Sequence, residues 1–437
     1  MTNTPSIIHA KWVITDTTHI LKHHALVIQS GLIEAILPSG LAKERYPTVT
    51  HTTYASHALL PGFINCHTHL TMNIFRGLAD DLELMDWLNN YIWPAENKWL
   101  GEELVYDASL LAIAEAIRSG TTCMNDMYFF MNATARAVTE TGIRAHIGLH
   151  LIDVPTAWAQ TMDEAFEKAI LFYEEYKNHE RITPTMAVHS TYTVSLPQLI
   201  KAKKIADDYK LKINIHLQES PQEIAHVQAL HQERPLMRLH KIGMVNPDLI
   251  AIHMTQINED DLKILTATKP NIVHCPESNM KLASGIAPIS TLMQHGLNVA
   301  LGTDGAASNN DLDMITEMRS AAFLSKISTQ NPQALSAETA LNMATINAAK
   351  ALGVDHKIGS LAIGKAADFI AIDLERIETE PLYHPISQIV YAASRDQVTD
   401  VWVAGKQLLK NRQLTTIDEK ALLAKVKTWR KRIQNTV

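Results

Sequence analysis

Several things that would have set the class of this chain are missing. Its 437 residues include only three cysteines, Cys66, Cys123 and Cys275. They are odd in number, widely spaced and form no CxxC pair, which argues against a disulfide framework or a structural zinc knot. A reducing, cytoplasmic location is the expectation. Lysine and arginine form no basic block and the net charge is −7, so nothing suggests a nucleic-acid or anionic-membrane partner. The longest apolar runs, such as residues 297–301, fall far short of the roughly 20 residues a membrane-spanning helix needs. The N-terminal stretch MTNTPSIIHAKWVIT has no basic segment followed by an apolar run, so it does not read as a signal peptide. Neither GxGxxG nor GxxxxGK[ST] occurs, which removes the usual phosphate loops of an open doubly wound sheet.

What is present is apolar material, 46% of residues, with 19% charged, enough for a large core and against disorder. One large domain with a smaller companion is expected, since barrels run to about 250 residues or more in one piece. Along the middle of the chain one event recurs eight times. A short β-branched run stops abruptly at polar or ionisable residues, and a helical stretch follows. The endings are LLPGFINCHTH (59–69), SGTTCMND (119–126), IRAHIGLH (143–150), PTMAVHS (184–190), KINIHLQES (212–220), LIAIHMT (249–255), NIVHCPES (271–278) and LNVALGTDGA (297–306). Amphipathic segments such as 102–118, 132–141, 196–209 and 257–267 lie between them. Strands alternating with helices make a parallel sheet, and eight units close it into a (β/α)8 TIM-type barrel.

The flanks read as short alternating strands, at 6–15, 24–36 and 50–58 and again at 360–374, 388–393 and 398–409, with a hairpin around Ala404-Gly405-Lys406. Neither flank can bury enough apolar surface alone. Both ends are therefore expected to build one small β-sandwich. That divides the chain into 1–58 (sandwich, first part), 59–361 (barrel) and 362–437 (sandwich, second part), with a charged helix over 417–435.

His67 and His69 close the first barrel strand. Residues i and i+2 of a strand share a face, so both imidazoles can reach one ion. His216 ends strand five and Asp304 ends strand eight, and all barrel strands end at the mouth where barrel active sites lie. Three histidines and a carboxylate suit one divalent ion such as Zn2+ with an exchangeable water. Glu219, three residues past His216, is placed to move protons near that ion. His253, ending strand six, is either a further ligand or a hydrogen-bonding partner of the water. Cys275 reads as a small packed residue rather than a thiolate ligand. Strand four ends at His189 and not at a lysine, which leaves no source for a modified lysine bridging two metals. Glu96 lies in a long excursion, 70–100, that also carries Trp87, Tyr91, Trp93 and Trp99. Its spacing alone favours a solvated helix residue, and the tryptophans read as loop core.

PGFINCHTH, HLQES, HCPESNMKLASGIAP and LGTDGAASNN, with GSLAIGKAADFIAID and DVWVAGKQL in the flanks, resemble the amidohydrolase superfamily over nearly the whole chain. Within it they resemble the 5-methylthioadenosine/S-adenosylhomocysteine deaminases. The resemblance implies that His67, His69, His216 and Asp304 hold the metal, usually zinc, that Glu219 protonates purine N1, and that His253 orients the water. It further implies that Glu96 binds the ribose hydroxyls, that His189 contacts substrate, and that the partner is a small-molecule nucleoside. One departure stands out. Some members place arginines after strand three for the amino-acid carboxylate of S-adenosylhomocysteine, but residues 145–180 contain none. Methylthioadenosine is therefore the expected preference, unless Lys168 or an arginine from elsewhere replaces the contact. A triazine hydrolase, a free-nucleobase deaminase and a non-catalytic nucleoside- or metal-binding barrel are the competing readings. A homo-oligomer is compatible with the sequence but not specified by it.

Overall fold

The structure, a computed structural model, describes residues 5–434. Residues 1–4 of the segment read as carrying no leader, and residue 435 of the expected C-terminal helix, lie outside the described residues. The strands run in chain order as β1 (Ser6–Asp16), β2 (His19–Gln29), β3 (Leu32–Pro38), β4 (His51–Pro61), β5 (Phe63–Thr68), β6 (Thr121–Asp126), β7 (Arg144–Leu151) and β8 (Ile182–Ser190). They continue as β9 (Ile213–Leu217), β10 (Leu249–His253), β11 (Asn271–His274), β12 (Asn298–Leu301), β13 (Phe369–Asp373), β14 (Val398–Val403), β15 (Lys406–Lys410) and β16 (Gln413–Leu414).

Strands β5 to β12 pair in chain order as one parallel sheet, and each falls on one of the eight segments read as strand endings, β7 and β8 reaching slightly beyond theirs. Helices cover the outside and side chains fill the inside, so β5, β6 and β7 are buried along their whole length. The sheet closes where β12 meets β5, with the Asp304 amide donating to the His67 carbonyl at 3.0 Å. That seam requires glycine at 302. A Cβ there would sit 2.8 Å from the His67 backbone nitrogen, closer than any side chain is tolerated. Beneath the histidines lies a polar layer. Asn125 Nδ2 donates to Asn214 Oδ1 at 2.9 Å and to the Cys66 carbonyl at 2.8 Å. Asn214 Nδ2 donates to Thr185 Oγ1 at 2.9 Å, and Asn65 Nδ2 to Thr303 Oγ1 at 2.7 Å. Asn65 and Asn214 stand two residues before His67 and His216, so this network fixes the strands that present those two histidines.

The remaining strands form a second sheet in the order β16-β15-β14-β13-β4-β1-β2-β3, drawn from both chain ends as expected. It folds over its own apolar face. Ile8, Val13 and Leu26 share one buried cluster with Leu59, Phe369 and Trp402, and the last two rings stack with centroids 4.4 Å apart. The β14–β15 hairpin turns at Ala404-Gly405, with φ values of 46° and 73°, the left-handed pair of a type I′ turn. Arg144, at the start of β7, ties barrel to sandwich through a buried pair with Asp368, at 2.6 and 3.1 Å. Leaving either member unpaired would cost about 3–5 kcal/mol.

The strand expected at 388–393 is instead part of a helix, Pro385–Tyr391. His384 Nδ1 accepts from the Ser387 amide, Pro385 occupies the first turn, and Ile386, Ile389 and Val390 bury one helical face. Of 360–374, only β13 is strand. The expected C-terminal helix spans Glu419–Gln434 and seats Trp429 against Asp107, with Nε1 donating to its carboxylate at 3.0 Å. No helix among the described residues is long and apolar enough to cross a membrane.

Candidate active site and metal centre

The strand ends at the barrel mouth bring His67, His69, His216 and Asp304 together in the interior. His67 Nε2 and His69 Nε2 each lie 3.1 Å from Asp304 Oδ1, and His67 Nε2 lies 3.2 Å from His216 Nε2. A tetrahedral zinc site with bonds of about 2.0–2.1 Å has donor atoms roughly 3.3 Å apart, so this spacing fits a single zinc ion. The tautomers fit as well. His69 Nδ1 donates to the Met127 carbonyl at 2.7 Å and His216 Nδ1 to the His189 carbonyl at 2.8 Å, which leaves both Nε2 lone pairs facing inward. Burial lowers the pKa of His67 to about 4 and that of His216 well below the ordinary value, so both are neutral donors at pH 7.

His253 borders the same cluster. Its donor atom lies within 4.8 Å of those of His67, His216 and Asp304. The Asn279 side-chain amide hydrogen-bonds His253 Nδ1 at 3.0 Å. The ring's Nε2 lies 3.8 Å from Glu219 Oε2, which leaves His253 placed either as a further ligand or as a partner of the water. Cys275 is buried and its thiol is pushed well up by that burial, as the packed-residue reading expects.

Burial raises the pKa of Asp304, but the close approach of the His67 and His69 imidazoles to Oδ1 outweighs it and holds the carboxylate well below its usual range. Its second oxygen, Oδ2, accepts from Ser278 Oγ at 2.7 Å and from Ser308 Oγ at 2.6 Å. Asp304 and His253 both hold left-handed backbone, with φ values of 63° and 75°, uncommon for residues with a Cβ and typical of functional positions.

Glu219 is buried at the edge of the cluster. Burial, and then the charge of Asp304, push its carboxyl pKa up to about 8. It follows β9 on a turn that Glu223 secures, accepting from the Glu219 amide at 2.7 Å and the Gln218 amide at 3.1 Å. The turn is completed by Thr255 Oγ1, which donates to the Glu219 carbonyl at 2.6 Å.

Above these groups opens a cavity of about 340 Å³, lined by Glu96, His189, Glu219 and His253 among others. Glu96, which spacing alone leaves in solvent, is 6% exposed and accepts a hydrogen bond from the Tyr128 hydroxyl. Burial raises its pKa to about 7. Trp87 is buried in the core and Trp93 and Trp99 pack against it, as expected, while Trp87 and Trp93 line the cavity as well. His189 ends β8, and its Nδ1 pairs with Thr193 Oγ1 at 2.8 Å. The segment after β7 contributes Ile152, Val154, Pro155 and Ala157. Among the described residues, no lysine or arginine lines the cavity. Lys168 is turned away, paired with Glu164 at 2.7 Å and donating to the Trp158 carbonyl. Sequence reasoning missed Tyr128, Asn279, Ser278 and Ser308. The last three lie within the HCPESNMKLASGIAP and LGTDGAASNN motifs, which were the available signal.

The chain matches the Amidohydrolase family over residues 58–408. A 5-methylthioadenosine/S-adenosylhomocysteine deaminase of Saccharophagus degradans is 43% identical over 439 residues, covering 99% of this chain and 98% of that protein. A 5′-deoxyadenosine deaminase of Methanosphaera stadtmanae is 38% identical, covering 96% of this chain and 97% of that one. The crystal structure of an adenosine deaminase from Xanthomonas campestris with bound zinc superposes with a TM-score of 0.96 at 43% identity, covering 99% of each chain.

Proposed function

The chain belongs to the amidohydrolase family, and from that membership we propose that it is a zinc-dependent deaminase of 5′-substituted adenosines, preferring 5′-methylthioadenosine to S-adenosylhomocysteine. His67, His69, His216 and Asp304 would hold the metal. When bound, zinc supplies a Lewis acid that lowers the pKa of water from about 16 to about 7.

The chain's own groups then divide the proton work. Glu219, with its pKa near 8, is protonated at neutral pH and hands that proton to purine N1 as water oxygen adds to C6. The ring nitrogen takes up the electron pair. Asp304, ionised, accepts one proton of the water and passes it to the C6 amine. The C6–N bond breaks, ammonia leaves, and the remaining hydroxyl proton returns to Glu219 as the C6 carbonyl forms. His253 orients the attacking oxygen from its Nε2 side. Glu96, held by Tyr128, accepts from the ribose hydroxyls, a role that neither a triazine nor a free base would use. His189 contacts substrate at the cavity wall.

The observation that carries the substrate preference is the cavity wall without a cation, apolar at Ile152, Val154, Pro155 and Ala157. Such a surface suits a methylthio group. A homocysteine carboxylate would lose its water without gaining a charge-assisted hydrogen bond, each worth about 1.5–3 kcal/mol. The ratio of kcat/KM for methylthioadenosine over S-adenosylhomocysteine is therefore expected to be at least about tenfold. Equal or reversed values would overturn the preference. The three cysteines are free and buried, which supports a reducing compartment, and we assign the protein to the cytoplasm.

A further inference from the structure

A second cleft, of about 550 Å³, lies behind the loop that follows β8. Tyr192 and Thr193 line both this cleft and the nucleoside cavity, so one short loop forms the wall between them. Three features of the cleft point to the same kind of ligand.

The first is Arg238. Its side chain lines the cleft although the residue is only 6% exposed, and its buried Nη1 has no hydrogen-bond partner. Burial alone lowers its guanidinium pKa, with no neighbouring carboxylate to oppose the shift. An unpaired buried cation is costly, and such groups are normally matched by a counter-charge. The second is Thr191. It is 1% exposed, lines the same cleft, and its Oγ1 is likewise buried without a partner. The third is the helix Leu196–Tyr209, which starts at the cleft wall. Its N-cap, Ser195, makes no side-chain capping bond and lines the cleft with Leu196. With Pro197 lacking an N–H and the Leu199 amide bonded to the Ser195 carbonyl, the amides of Leu196 and Gln198 are left at that end. His231 and Lys241 add basic groups. The acidic groups are Glu233, already engaged by Lys241, and the exposed Asp153.

We propose that this cleft binds a small oxyanion of the phosphate class, held by Arg238, the Thr191 hydroxyl and the N-terminus of the helix Leu196–Tyr209. A guanidinium, a hydroxyl and the two free amides of Leu196 and Gln198 together offer donors to the oxygens of a tetrahedral anion. The bound ion would also fix the loop that presents Tyr192 and Thr193 to the nucleoside cavity.

The binding does not rest on the deaminase reading and is tested without turnover. Inorganic phosphate is titrated by calorimetry into the metal-loaded protein at constant ionic strength. Arg238→Met is expected to weaken binding at least about tenfold. It should melt no lower than the parent without phosphate, because an apolar chain replaces an uncompensated buried charge. Should that variant fail to fold, Thr191→Val is expected to weaken phosphate binding several-fold. Absence of phosphate binding overturns the site, as does binding that survives Arg238→Met, which would locate the ion at the metal. A KM for S-adenosylhomocysteine raised by Arg238→Met, with methylthioadenosine unaffected, would make Arg238 the anchor of the homocysteine carboxylate and equally overturn a separate anion site.

Discussion

Glu219→Gln is expected to lower kcat by about 10²–10⁴-fold, the usual contribution of a positioned general acid–base group, while leaving metal content and melting temperature unchanged. The substitution is close to isosteric, and the backbone around it is held independently of the side chain. Glu223 accepts from the amides of Gln218 and Glu219, and Thr255 donates to the Glu219 carbonyl. Glutamine can fill the space and hydrogen-bond, but it has no proton to release at neutral pH. The same role fixes the sign of the pH dependence. Burial raises the Glu219 pKa to about 8, so the acid form prevails below that value and is lost above it. In the parent enzyme kcat should fall as pH rises through about 8, and that limb should be absent from the residual activity of the variant. Steady-state rates across pH, with metal analysis of both proteins, check both points. A fully active Glu219→Gln enzyme would remove Glu219 from the chemistry.

Stripping the metal with a chelator is expected to abolish turnover, by at least about 10³-fold, and to leave a folded apoprotein that regains activity when zinc is returned. The fold should survive because the strands carrying the ligands are secured by the asparagine layer beneath them and by the seam at Gly302. Stability should nevertheless drop on removal, since an ion at 1,000 times its dissociation constant contributes about 4 kcal/mol. The supporting hydroxyls give a finer test. Ser278 and Ser308 both donate to Asp304 Oδ2, which aims Oδ1 at the histidines. Replacing both by alanine should weaken zinc affinity about 10–100-fold, the usual cost of losing such partners. Competition with a metal indicator measures it. Undiminished activity in demonstrably metal-free protein would contradict the hydrolytic site.

The barrel was legible in the sequence because each strand ends in a sharp change from β-branched to polar or ionisable residues, and that change marks the mouth where His67, His216 and Asp304 meet. No such edge marks the segment 388–393, whose apolar residues suit either period, and the deciding cap, His384, is read only from its bond to the Ser387 amide. Glu96 was equally hidden. Its hydrogen-bond partner in the interior, Tyr128, is 32 positions away, in the loop after β6. Trp87 and Trp93 face the cavity because of how the excursion 70–100 folds back across the mouth, which local spacing does not encode. The absence of arginine in 145–180, by contrast, could be read directly, and it matches a cavity wall without a cation.

The most direct test of the central claim is to incubate the zinc-loaded protein with 5′-methylthioadenosine in ¹⁸O-enriched water and follow both products. The expected result is one equivalent of ammonia and a 5′-methylthioinosine that carries a single solvent oxygen at C6. Recovery of unchanged methylthioadenosine, or release of adenine in place of ammonia, would contradict it.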